Sequence, residues 1–113
     1  MGKKFLFPII CLLSLGCVHH YHLVNESGIE HIDVWRHEPN RAARFKRIDD
    51  QGKIQEIIAA INENYQEPAY FYVTSTFYFV YKNRDTTVIG VNNDRIIAKG
   101  QTFKIGKAMD DVF

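Results

Sequence analysis

The 113 residues carry 14 Lys and Arg against 13 Asp and Glu, a formal charge of +1, which excludes the dense basic footprint of a nucleic-acid binder. The length suits a single domain with a modest core. Both cysteines, Cys11 and Cys17, fall in the first seventeen residues, so the domain beyond them must hold together without a disulfide.

The chain opens with Lys3 and Lys4, followed by an unbroken apolar run from Phe5 to Leu15 and the small residue Gly16. A positive start, a short apolar stretch and a small residue form the layout of a removable export signal. At ~1.5 Å per residue the run covers roughly 16 Å, about half the hydrocarbon thickness of a bilayer, too short for a spanning helix. The expected division is a signal over 1–16, an anchor and tether over 17–28, one domain over 29–105 and a mobile tail over 106–113. Loss of Lys3 and Lys4 with the signal leaves a mature charge of about −1.

Ser14-Leu15-Gly16-Cys17 resembles the lipobox of bacterial lipoproteins. In that family the cysteine is acylated on its sulfur and becomes the new amino terminus. The resemblance implies lipid, typically palmitate, on Cys17 and a place on the bacterial cell envelope. Val18 rather than Asp after the cysteine implies the outer membrane in enterobacterial relatives. Ser14 departs from the family's preferred Leu, so cleavage by the ordinary signal peptidase stands as the alternative. One acyl chain binds a membrane only marginally, whereas two or three anchor stably.

Residues 18–28 read as a tether, with Asn25, Ser27 and Gly28 as turn formers. Alternation of Ile32 and Val34 with His31, Asp33 and Trp35 predicts a strand over 29–37, ended by Glu38-Pro39-Asn40. Residues 40–48 read as an irregular basic link. Arg36, Arg41, Arg44, Lys46 and Arg47 cluster around it, the pattern of a solvated surface.

Ile54, Ile57, Ile58, Ile61 and Tyr65 recur at the spacing of one helical stripe. Asp49 and Asp50 suit its amino-terminal cap, and Asn64 and Pro68 close it. Isoleucine is a poor helix former, so packing must hold this helix. Ala69 to Tyr81 is β-branched and aromatic and predicts one long strand with a bulge near Ser75. Phe71, Val73, Ser75, Phe77, Phe79 and Tyr81 form its expected core face. Turns at 82–85, 92–94 and 99–100 separate return strands over 86–91, 95–98 and 102–105. The predicted fold class is α+β: an antiparallel sheet of about four to five strands with one amphipathic helix packed on one face.

Ser75 lies in no Gly-x-Ser-x-Gly elbow, and no phosphate loop, zinc-protease helix or cysteine pair occurs. No catalytic residue, metal site or cofactor is expected. Tyr70, Tyr72 and Tyr78 are expected on the outer face of the sheet and, with Trp35, make a candidate binding surface. A non-enzymatic binding domain is therefore the leading expectation, with membrane lipid held through Cys17 and an envelope protein as partner. An immunity or inhibitor protein against a secreted toxin or lytic enzyme is the first alternative. The second is a metal-binding or enzymatic site from His31, Asp33 and His37, with Glu30 or Glu38, because alternate strand residues share a face. His19, His20 and His22 are a compositional hint of metal binding and more simply a solvated linker.

Overall fold

Asp50 starts the helix α1 (Gln51–Asn62): its backbone is extended and its carboxylate accepts the Lys53 N–H at 3.3 Å. The side chains of Ile54, Ile57, Ile58 and Ile61 are all buried. The computed structural model describes residues 19–109. Leader, Cys17 and residues 110–113 lie outside the described residues.

Around α1 the chain forms β1 (Ile29–Arg36), β2 (Arg44–Ile48), β3 (Asn64–Gln66), β4 (Ser75–Tyr81), β5 (Thr86–Asn92), β6 (Arg95–Ala98) and β7 (Gln101–Ile105). They make a seven-stranded sheet in the order β2-β1-β4-β5-β6-β7-β3. Every strand pair is antiparallel. The class is α+β as expected, but the sheet has seven strands rather than four to five. The two additions are its edges. β2 comes from the stretch expected to be an irregular link, and β3 from the residues just past the helix.

One face of the sheet carries the core. Val34, Phe77 and Ile89 lie side by side across β1, β4 and β5. Val91, Ile96 and Phe103 do the same across β5, β6 and β7. All six belong to one buried cluster with the four isoleucines of α1. The helix packs against both β1 and β7, so the connection from β2 to β3 carries the chain from one sheet edge to the other.

Tyr65 does not extend the helical stripe. Asn64, fully buried, donates to the Ile61 carbonyl at 2.7 Å and ends the helix. Tyr65 then pairs with Lys104 in β3 and is exposed. The expected strand from Ala69 also begins late, at Ser75. The chain must return from β3 at the far edge to β4 near the other, so residues 67–74 cross the face opposite the helix. Only Thr74 joins the sheet line, donating to Val91 O and accepting from the His37 N–H. Phe71 and Val73 are consequently absent from the helix side; Val73 lies on Gly90 and Ile97 of the outer face. The bulge expected near Ser75 is not there either. The register irregularity falls between Ile29 and His31.

From His20 onward the stretch read as a tether is docked beside α1. Asn64 brackets the Tyr21 backbone, accepting from its N–H at 3.0 Å and donating to its carbonyl at 2.8 Å. Val24 is fully buried, and Leu23 and Tyr21 pack on the core cluster. At the other terminus Met109 is buried and its N–H donates to Asn93 O. Lys99 and Gly100 both take positive φ in the tight β6–β7 turn, where the second position suits glycine.

Candidate functional site

The outer face of β2, β1 and β4 presents exposed aromatic and charged side chains and is the candidate site. Because β1 buries Ile32 and Val34, its alternate residues His31, Asp33 and Trp35 point outward. Antiparallel pairing sets Phe45 opposite Trp35 and Arg47 opposite Asp33. The Trp35 and Phe45 rings meet at 4.8 Å with a 51° tilt. Both remain substantially exposed, at 39% and 47%. The Arg47 guanidinium carbon is 6.0 Å from the Phe45 ring centroid.

Arg47 donates to Asp33 through two nitrogens, Nε to Oδ1 at 2.7 Å and the second to Oδ2 at 3.0 Å. This bidentate hydrogen bonding holds the Asp33 carboxyl below its usual range, against a smaller opposing effect of burial; His31 beside it acts in the same direction. The same pairing raises Arg47. Asp33 is thus a committed anion rather than a free proton acceptor.

His31, Asp33 and His37 do not converge. His31 Nε2 stands 3.5 Å from Asp33 Oδ2, but Arg47 occupies both carboxylate oxygens. His37 turns to the Thr76 hydroxyl at 3.1 Å. Glu38 is engaged by Arg44 at 3.0 Å, Arg41 at 3.4 Å and Arg36 at 3.9 Å. The amino-terminal histidines also diverge: His20 bonds the Asn64 carbonyl, His22 faces Glu26, and His19 meets the Tyr21 ring edge-on. Among the described residues no three His, Cys, Asp or Glu side chains are placed to hold one metal ion. Ser75 is buried on the core side, where no substrate reaches it.

The four aromatics expected to make one surface divide into two. Trp35 belongs to β1 and Tyr78 to β4, on the same outer face, with Tyr78 opposite Asp33. Tyr70 and Tyr72 lie on the crossing segment, both exposed. Tyr70, Phe71 and Val73 line an open crevice against Ile97, Gly100 and Thr102. Phe45 escaped the sequence reading because Arg-Phe-Lys-Arg-Ile over 44–48 looks like a basic link. The only local signal was the alternation of Phe45 and Arg47 with Lys46 and Ile48.

Among the described residues no helix is long and apolar enough to cross a membrane. Comparison of the chain with family models, curated proteins and solved structures finds no significant match.

Proposed function

We propose that the mature protein is a non-enzymatic binding domain tethered to a bacterial envelope by lipid on Cys17, and that it engages a protein partner through Trp35, Phe45 and Arg47. The observation that carries the reading is the exposed Trp35–Phe45 pair beside a fixed Arg47. Exposed tryptophan, phenylalanine and arginine side by side are the composition of protein-binding hot spots.

The placement of this pair supports the tether. His20 is bonded to Asn64 at the β3 edge, and three residues of chain from Cys17 reach at most ~11 Å. The β2 edge lies six strand spacings from β3 in the sheet order, about 29 Å at ~4.8 Å per strand. A lipid at Cys17 therefore leaves the aromatic pair at the end of the domain remote from its anchor, where a second protein has access.

Site-specific photocrosslinking in cells tests the proposal. A crosslinker at Phe45 is expected to trap one envelope protein, and the same group at Lys82, on the β4–β5 turn, is not. Capture of a toxin or lytic enzyme makes the domain an inhibitor. Equal crosslinking at both positions, or none at Phe45, rejects the surface.

A further inference from the structure

We propose that the outer edge of β2 is a strand-accepting site for an extended acidic segment of the partner. This rests on the binding-domain reading above and specifies what the site recognises.

Among the described residues the only strand neighbour of β2 is β1. Residues 44–47 are exposed throughout. A strand paired on one side keeps alternate N–H and C=O groups on the other side for a second strand. The opposite edge, β3, has three residues and adjoins the docked Tyr21 backbone. β2 is the longer and more accessible of the two edges.

Charge selects the occupant. Between Glu30 and Asp50 five cationic side chains, Arg36, Arg41, Arg44, Lys46 and Arg47, face five carboxylates, Glu30, Asp33, Glu38, Asp49 and Asp50. Three of the five cations belong to β2 itself, which holds no carboxylate, so the positive charge is concentrated on the edge strand. A second copy adding antiparallel about Lys46 would set lysine against lysine and crowd six cations along one seam, and like charges directly opposite oppose pairing. An acidic strand meets the reverse situation. Its alternate side chains would face Arg44 and Lys46 on one side of the sheet and Phe45 and Arg47 on the other, with Trp35 on the next strand. A lipid surface offers anions but no backbone to satisfy the edge, and the edge is the one remote from the anchor.

The chain has a single tryptophan, Trp35, whose exposed ring touches Phe45 of β2, so its fluorescence reports occupancy of the edge. Full-length protein in detergent is titrated with a nine-residue capped peptide alternating Asp and Thr. Controls are the same peptide with Lys for Asp, the acidic peptide with a central proline, and vesicles containing phosphatidylglycerol. The expected result is a saturable Trp35 response to the acidic peptide alone, with slowed amide exchange over residues 44–48. Arg41→Glu with Arg44→Glu is expected to weaken binding at least tenfold. These are exposed side chains whose exchange leaves the core intact. The milder Arg44→Gln should weaken it severalfold, and Lys82→Glu on the distant hairpin should leave it unchanged.

Equal binding of the proline peptide without amide protection overturns strand addition. So does a response to vesicles alone, self-association that protects 44–48, or no response to the acidic peptide; in that last case the cations merely guard the edge. A partner crosslinked at Phe45 alongside a silent titration removes the strand mode and leaves the binding domain. Peptide binding without any partner in cells removes the binding-domain reading and retains the edge.

Discussion

Asn62, the last residue of α1, holds the backbone of Val24 as a neighbouring strand would. Its amide nitrogen donates to Val24 O at 2.8 Å, and its oxygen accepts from the N–H of Val24 at 3.1 Å and of Leu23 at 2.9 Å. Val24 is fully buried, so these groups have no water to replace the asparagine. Asn62→Ala should lower stability by about 1–3 kcal/mol, the range for stranding partly buried backbone groups. Urea denaturation measures the loss, and amide exchange should quicken first at Leu23 and Val24. A variant with wild-type stability and exchange would show that the segment is held by apolar packing alone.

Gly90 is the point where the crossing segment rests on the sheet. A Cβ there would stand 2.7 Å from Ile97 Cγ2 and 2.9 Å from Val73 Cγ2. Both neighbours are β-branched and cannot swing aside freely. Gly90→Ala should cost about 1–3 kcal/mol through overpacking and expose residues 67–74 to limited proteolysis. Adding Val73→Ala should recover part of the loss, since the Ile97 clash remains. Full recovery would assign the whole strain to the crossing segment.

The Asp33–Arg47 pair predicts a pH signature. The folded carboxyl titrates below its ordinary value of 3.8. Its contribution to stability is therefore fully present above that value and disappears as pH falls through the lower folded value. Asp33→Asn should be less stable than wild type at neutral pH, with the gap narrowing below about pH 4 and closing in stronger acid. Urea midpoints measured across this range check it. A gap of constant size would mean that Asp33 acts through shape rather than charge.

The anchor proposal concerns Cys17. Wild type should take up a palmitate analogue and partition into detergent, while Cys17→Ser should do neither and accumulate as the larger precursor. The Cys17→Ser domain should still fold, because no disulfide depends on that sulfur. Ser14→Leu should speed processing by restoring the preferred lipobox residue. A mature terminus mapped elsewhere than Cys17 would make the protein freely secreted.

Local sequence determined much of this molecule. The isoleucine spacing and Asp50 specify α1, since a 3.6-residue period and a capping carboxylate act within a few residues. Alternation in Ile32-Asp33-Val34-Trp35 and in Phe77-Tyr78-Phe79 determines which side chains face the core, because a strand's period of two leaves no other choice. The turns at Asn93 and Gly100 likewise follow from residues that tolerate left-handed backbone, whereas in the β4–β5 turn that conformation falls to Arg84. Tertiary structure alone decided the two sheet edges. The short alternation in Arg-Phe-Lys-Arg-Ile does not by itself make a strand; pairing with β1 does, and it brings Phe45 to Trp35 and Arg47 to Asp33 from more than nine residues away. Ala69-Tyr-Phe-Tyr-Val has every local preference for a strand, yet it must span the face from β3 to β4, and topology overrides propensity. The histidines and carboxylates of β1 showed the same limit. Their spacing placed His31 and Asp33 on one face, but only the neighbouring strand decided that Asp33 would hold an arginine rather than a metal.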